Sequence, residues 1–310
     1  MRSAFFLLAA LLVFGCVVVP AQEIVPENES SENITTQENQ SFLSGENITI
    51  AAFNIQVFGK SKASKEDVMD ILARSAANFD IIAVQEIRDS SGESLPKLVE
   101  RINALDGPDY EYTVGPRLGR TSSKEQYAYI YREEIELLGN STFNDSDDLF
   151  HREPYMARFR TGDFDFVLIT LHSDPDETPQ ELDSLPLALD YARERYEEDD
   201  FILLGDMNAD CNYLKEGEDI SLRNGSFIWL VGDDADTTVK STDCAYDRII
   251  ILNSTLDEYS GIFGIFRFDE EYGLNQSMAE SVSDHYPVWA TFITSQGQEE
   301  SPAGQGQGSP

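Results

Sequence analysis

The feature that most limits the fold is a series of short apolar, β-branched segments that stop at isolated polar residues. Ile48–Phe58 (ITIAAFNIQVF) ends at Gly59, Asp80–Ile87 (DIIAVQEI) carries Glu86 near its end, and the run from Phe166 to Leu171 stops at His172. Phe201–Leu204 leads through Gly205 to Asp206 and Asn208, Asp247–Leu252 opens on an acid, and Tyr286–Phe292 follows Asp284-His285. Runs of this length and composition predict strands, as do Tyr110–Val114, Gln126–Tyr131, Met156–Arg160 and Phe164–Thr170. Between them, Lys65–Phe79 has helical spacing, with Val68, Ile71, Leu72 and Ala76 on one face and Ser64 as the expected N-cap. Ser94–Leu105 is a second expected helix. Pro175–Tyr196 is a third, with Pro179 early and Pro186 expected to interrupt it. Strands interspersed with helices give an α/β fold. Two packed sheets under outer helices and one doubly wound sheet both satisfy the pattern.

The polar residues at the strand ends are also where a sheet protein places its chemistry. Asn54 interrupts an apolar strand, and Glu86, Asp206, Asn208 and Asp284 lie where strands stop. These are hard oxygen donors of the kind that hold Mg²⁺ or Ca²⁺. The chain has three histidines, and two of them, His172 and His285, fall at such ends, where imidazoles can move protons near neutral pH. Loop polarity or helix capping accounts for any one of these residues. Together they form a set that hydrolysis of a phosphodiester can use.

The two ends of the chain stand apart from this block. Residues 1–21 read as an export signal, with Arg2, an apolar run from Phe5 to Val19, and Val19-Pro20-Ala21 as the small-residue cleavage pattern. The run is short for a membrane span of about 20 residues, although an uncleaved anchor is the alternative. Cys16 lies in a weak lipobox, so both a lipid-tethered and a free product are open. Residues 22–46 hold six glutamates and no Lys or Arg, and read as a disordered acidic spacer; residues 295–310 form a Gly/Gln/Ser/Pro tail. One domain over residues 47–294 is the economical organisation. Nine Asn-x-Ser/Thr sequons, at Asn28, Asn33, Asn39, Asn47, Asn140, Asn144, Asn224, Asn253 and Asn275, suggest a glycosylated exported protein. With Cys16 set aside, Cys211 and Cys244 are the candidates for a disulfide or remain two free thiols.

Charge bears on the substrate. The formal net charge is −35, and residues 47–294 keep 49 acids against 21 bases. Nucleic-acid binders normally present basic surfaces. A salty habitat resolves the conflict, because the screening length falls to about 3 Å at molar salt and acid-rich surfaces are typical of halophilic proteins. A substrate other than nucleic acid is the alternative.

Eight segments carry a family likeness: AAFNIQVFG (51–59), DIIAVQEIRDS (80–90), GRTSSKEQY (119–127), REP (152–154), LHSDP (171–175), GDMNADCNY (205–213), CAYDRIII (244–251) and SDHYPV (283–288). In order and spacing they resemble the deoxyribonuclease I group of the endonuclease/exonuclease/phosphatase family, across essentially all of residues 47–294. The resemblance implies a four-layer α-β-β-α sandwich of two packed mixed sheets, with the site at one edge. By the same resemblance, Asn54, Glu86, Asp206, Asn208 and Asp284 match a metal and phosphate cluster for Mg²⁺ or Ca²⁺, with Mn²⁺ an acceptable substitute. His285 matches the base that activates water, oriented by Asp247. His172 matches the acid that protonates the leaving 3′ oxygen, oriented by Glu125. Arg152 and Tyr246 match residues that hold the scissile phosphate, Arg88 matches an arginine of the minor groove, and Tyr213 joins these DNA contacts. Cys211 and Cys244 match a structural disulfide. Asp236, Thr238 and Thr242 match a structural calcium loop in which Lys240 stands where Thr is expected. A second such loop is matched by Asp148, Phe150 and Glu153. Gln56 and Ser123 replace an arginine and a tyrosine that contact duplex DNA, which implies weaker and less shape-selective binding.

The function so implied is an extracellular or surface-anchored, metal-dependent endonuclease. It would cut double-stranded DNA to 5′-phosphate ends with little sequence preference, as a monomer without an obligate protein partner. A relative acting on lipid or small-molecule phosphodiesters is the second expectation, and a catalytically silent surface-binding module is the third.

Overall fold

The computed structural model describes residues 47–295. The expected signal with Cys16, the acidic spacer, the sequons at Asn28, Asn33 and Asn39, and the tail beyond residue 295 lie outside the described residues.

Twelve strands form two six-stranded mixed sheets. The first takes β1 (Asn47–Phe58), β2 (Ile81–Ile87), β3 (Tyr110–Val114), β4 (Gln126–Arg132), β11 (Tyr259–Ile265) and β12 (Val288–Ile293), in the order β11-β12-β1-β2-β4-β3. The second takes β5 (Glu136–Thr142), β6 (Tyr155–Thr161), β7 (Phe164–Thr170), β8 (Phe201–Asp206), β9 (Phe227–Trp229) and β10 (Asp247–Leu252), in the order β5-β6-β7-β8-β10-β9. Each sheet has one parallel pair at its centre, β1–β2 and β7–β8, and antiparallel pairs on both sides. The two sheets therefore share one pairing pattern, although no repeat is visible in the sequence.

The parallel pairs need helical crossovers, since a hairpin cannot reverse a parallel connection. α1 (Glu66–Ala76) joins β1 to β2, and α3 (Thr178–Tyr196) joins β7 to β8. α1, α2 (Ser94–Asn103) and α5 (Gln276–Val282) cover the outer face of the first sheet through Val68, Leu72, Leu95, Leu98, Ala279 and Val282. α3 covers the second sheet through Leu182, Leu185, Leu189 and Ala192. Between the sheets lies an interior of Ile50, Ala83, Tyr129, Tyr155, Phe159, Phe166, Leu204, Ile249, Ala290 and Phe292. The fold is thus the four-layer α-β-β-α sandwich, not a single doubly wound sheet.

Several local expectations need correction. Pro186 does not interrupt α3, which runs unbroken through it. A mid-helix proline costs about 3 kcal/mol, and the buried leucines on both sides of it outweigh that loss. Ser64 does not cap α1: it ends a short 3₁₀ turn and bonds to Ser61 O at 2.8 Å, and the helix starts after Lys65 without a side-chain cap. β5, β9, β11, α5 and the short α4 (Phe268–Glu271) add to the elements expected from sequence.

Candidate active site

At one edge of the sandwich the strand ends of both sheets converge, and the backbone there is strained. The β1–β2 register shifts between Asn54 and Phe58, and the β2–β4 register shifts between Val84 and Ile87. Gln56, Val57 and Glu86 have positive φ of 39°, 52° and 59°, a region few non-glycine residues occupy. These irregularities turn the Asn54 amide and the Glu86 carboxylate toward each other. Asn54 Nδ2 donates to Asp206 Oδ2 at 2.8 Å and to Glu86 Oε1 at 3.2 Å. Glu86 Oε2 accepts from the Val57 amide at 2.8 Å. On the second sheet, Gly205 is required by both conformation and space. Its φ is +140°, and a Cβ there would lie 2.1 Å from Leu171 O. That close approach sets Asp206 beside His172.

The centre of the site is one carboxylate oxygen between two imidazoles. Nε2 of His172 and Nε2 of His285 each lie 3.5 Å from Asp206 Oδ2. Behind each ring stands a second acid: His172 Nδ1 is 2.9 Å from Glu125 Oε2, and His285 Nδ1 is 2.7 Å from Asp247 Oδ2. All five side chains are buried or nearly so. Each imidazole–carboxylate pair spans the seam. Glu125 precedes β4 of the first sheet and pairs with His172 after β7 of the second. Asp247 opens β10 of the second and pairs with His285 before β12 of the first.

Electrostatics follow from this packing. Burial opposes a charge on His285, but Asp247 and Asp206 outweigh it and raise its pKa from 6.5 to about 10. Burial and the Arg152 charge oppose protonation of His172, while Asp206 and Glu125 raise its pKa on balance. Glu125 is held down to about 2, because the His172 hydrogen bond and the His172, Arg152 and Arg88 charges overcome its burial. Burial also opposes ionisation of Asp206, and the two imidazoles and Asn54 lower its pKa in spite of it.

The donor set fits a divalent cation. Asp206, Asp247 and His285 bring ligand atoms within 4.8 Å of one another. Asp247 Oδ1 and Asp284 Oδ1 are buried oxygens with no hydrogen-bond partner among the described residues. Unsatisfied carboxylate oxygens in an acidic cleft favour a hard cation. Asn208 sits at φ 46°, its amide donates to Asp206 Oδ1 at 3.1 Å, and its Nδ2 bonds to Ser173 O at 3.0 Å.

The endonuclease/exonuclease/phosphatase family model matches residues 51–251. The chain belongs to that family. Among curated relatives it is 37% identical over 262 residues to deoxyribonuclease-1 of Equus caballus, covering 79% of this chain and 92% of the relative. It is 38% identical over 258 residues to deoxyribonuclease gamma of Homo sapiens, covering 77% and 84%. Among solved structures, a family protein of Bacteroides thetaiotaomicron superposes with a TM-score of 0.53 at 16% identity, covering 81% of this chain and 98% of that one. A truncated TDP2 of Caenorhabditis elegans gives 0.56 at 15%, covering 80% and 97%. These two speak to the fold.

Within this member of the family, the other sequence-derived residues fall as follows. Arg152 is buried and donates from Nε to His172 O at 3.0 Å and from Nη2 to Ser173 O at 3.1 Å, with Nη1 3.7 Å from Glu125. Arg88 is half-buried in ion pairs with Glu125 at 2.8 Å and Glu86 at 3.0 Å. Tyr246 lies between Tyr213 and His285, with ring centroids 5.4 and 6.2 Å away. Cys211 and Cys244 form a disulfide. Asp148 is exposed and paired with Arg120 at 2.9 Å; Phe150 is buried, and its amide donates to Asp145. Glu153 is partly buried in the irregular segment before β6.

Four residues not singled out from sequence support the cluster. Thr237 Oγ1 donates to Asp247 Oδ2 at 2.9 Å, and Tyr127 OH accepts the His172 amide at 2.9 Å. Ser283 Oγ donates to Asn54 O, and the buried Lys62 ammonium bridges Ile55 O and Val282 O. Thr237 adjoins the loop residues named above, and Tyr127 and Ser283 lie in the family-like segments 119–127 and 283–288; Lys62 carried no signal in the sequence.

Proposed function

We propose that this chain is a divalent-metal-dependent endonuclease that hydrolyses DNA phosphodiester bonds to 5′-phosphate ends with little sequence specificity. As a hydrolase it is of the deoxyribonuclease type, as its curated relatives are named. The observation that carries this reading is the pair of carboxylate-backed imidazoles whose Nε2 atoms both lie 3.5 Å from Asp206 Oδ2. In-line displacement at phosphorus needs a base on the attacking side and an acid on the leaving side.

His285, oriented through Nδ1 by Asp247, takes the proton from the attacking water at Nε2. His172, oriented by Glu125 and kept protonated by its acidic neighbours, gives the Nε2 proton to the leaving 3′ oxygen. Asn54, Glu86, Asp206, Asn208 and Asp284 would hold the cation, as Mg²⁺, Ca²⁺ or Mn²⁺. The ion supplies charge neutralisation on the phosphate oxygens and offsets the carboxylate field that protonates His285. Arg152, Tyr246, Tyr213 and Arg88 would contact the phosphate and the groove, Arg88 by leaving its acidic partners. Double-stranded DNA is the expected partner, bound by a monomer. Export by a signal over residues 1–21, with release or lipid attachment at Cys16, agrees with the disulfide and with six exposed sequon asparagines on the domain.

Plasmid nicking by the purified protein tests this, with Mg²⁺ plus Ca²⁺, from low to molar salt, beside His285→Ala. Metal-dependent nicking lost in the variant, at a rate that holds as salt rises, is the expected result. Turnover of bis-p-nitrophenyl phosphate without nicking at any salt would replace DNA with a smaller phosphodiester.

A further inference from the structure

The loop of residues 236–243 is the place where family resemblance and geometry part. The resemblance implies a calcium ion held by Asp236, Thr238 and Thr242. Calcium takes six to eight oxygen ligands with free lone pairs. Here those oxygens satisfy one another. Asp236 Oδ1 accepts from the Thr238 amide at 3.1 Å and from Thr238 Oγ1 at 2.9 Å. The one Thr238 hydroxyl proton is shared between Asp236 Oδ1 and Thr242 O, and Thr238 Oγ1 accepts from Thr242 Oγ1 at 3.1 Å. Asp236 Oδ2 faces the Arg267 guanidinium at 3.3 Å. Lys240, in the same loop, reaches Asp284 Oδ2 at 3.0 Å. Two fixed cations and an internally bonded oxygen set do not fit a third, divalent charge.

We propose that Lys240 and Arg267 fasten this loop in place of calcium, and that Lys240 thereby positions Asp284 in the site. The loop is laid against the 284–286 segment by Val239 N to Asp284 O at 2.9 Å and Tyr286 N to Thr237 O at 2.8 Å. Gln276 Nε2 holds Val239 O at 2.9 Å, and the Cys211–Cys244 disulfide anchors the far end. Among the described residues, the Lys240 ammonium adds a side-chain tie from the loop to the Asp284 carboxylate. It engages Oδ2 and leaves Oδ1 buried, without a hydrogen-bond partner among the described residues and 3.9 Å from His285 Nε2. An acid held by one oxygen presents the other in a fixed direction. Lys240 is thus a positioning residue. Its effect on turnover rests on the nuclease reading, whereas its effect on the loop does not.

Hydrogen exchange of the peptide covering residues 236–245, in Ca²⁺ and in EGTA, tests the loop. Wild-type protection is expected to be the same in both. Lys240→Met is expected to exchange faster in this peptide and not in β1 or β2, and Lys240→Arg to restore protection. The Lys240 side chain is half exposed, so these variants keep the core. In nicking assays Lys240→Met should lose about tenfold to a hundredfold in kcat with KM little changed, as for a misplaced group, and Lys240→Arg should recover most of it. Protection that rises with Ca²⁺ in the wild type would restore the calcium loop and overturn the proposal. Unchanged exchange and unchanged kcat in Lys240→Met would remove Lys240 from the positioning role. The exchange result reads out whether or not DNA is the substrate.

Discussion

Replacing Asp247 with Asn separates charge from shape at the base side of the site. Both the His285 Nδ1 contact and the Thr237 hydroxyl contact are made to the same oxygen, Oδ2. The other oxygen has no hydrogen-bond partner among the described residues. An asparagine can therefore set its carbonyl where Oδ2 was and its amide where Oδ1 was, and keep both hydrogen bonds. What disappears is the carboxylate charge, which heads the influences that raise His285 to about 10 against its burial. A charge-assisted hydrogen bond is worth about 1.5–3 kcal/mol, against about 0.5–1.5 for a neutral one. The imidazolium in Asp247→Asn thus loses about 1–1.5 kcal/mol from this bond, with the longer-range charge in addition, and burial then pulls its pKa down toward the ordinary imidazole range. In the proposed mechanism the same imidazolium forms as His285 takes a proton from water, so kcat should fall about 10²- to 10⁴-fold, with kcat/KM falling equally. Imidazole titration by NMR in EDTA gives the pKa, and nicking kinetics give the rate. The sign for stability is also set. A raised imidazole pKa stabilises the metal-free wild type fully below pH 6.5, and that stability is lost as pH rises through about 10. Asp247→Asn should lack this slope. A wild-type His285 that titrates near 6.5, or a variant within tenfold of wild-type kcat, would refute the reasoning.

Three further outcomes are expected. His172→Ala should lose about 10²- to 10⁴-fold in kcat while its melting curve stays close to wild type; near-wild-type turnover would take His172 out of proton transfer. Gly205→Ala places a Cβ against Leu171 O at a φ of +140°, and should cost about 3 kcal/mol or more in urea unfolding, so a loss under 1 kcal/mol would show that the β7–β8 approach relaxes. Reduction of Cys211–Cys244 releases a loop of sequence separation 33, with an expected loss of about 3–4 kcal/mol. Calorimetry with and without reductant should show a fall in Tm, and an unchanged Tm would mean the denatured chain gains nothing from release.

The central strands were legible because burial on both faces writes an uninterrupted apolar run. β2 is buried at every position, as are β8 and β10. Among the edge strands β3 was legible, but β5, β9 and β11 were not. β5 and β11 are largely half-buried or exposed, and ELLGNST and YSGIFGI carry glycine where an alternating pattern would be read. The catalytic candidates showed in sequence as polar residues that break apolar runs. The convergence of His172 and His285 on Asp206 did not, because it depends on how the two sheets pack against each other. Sequence also overstated Pro186, for a breaker in local terms is tolerated where leucines before and after it are packed. The composition suggested an obstacle to DNA binding, and Arg88, expected from sequence to contact the groove, is paired with Glu86 and Glu125.

Because each imidazole takes its carboxylate from the opposite sheet, the proposed hydrolytic machinery is a clasp and not a patch. A sheet folded alone would hold His172 without Glu125, or His285 without Asp247, and in neither case a working proton relay. Turnover then becomes a gauge of whether the two halves are docked in register. It should vanish in the same cooperative step that opens the interior, with no earlier phase in which the shape survives and the chemistry has gone. The imidazole–carboxylate contacts that would carry the proton steps are therefore also contacts between the two sheets at that edge.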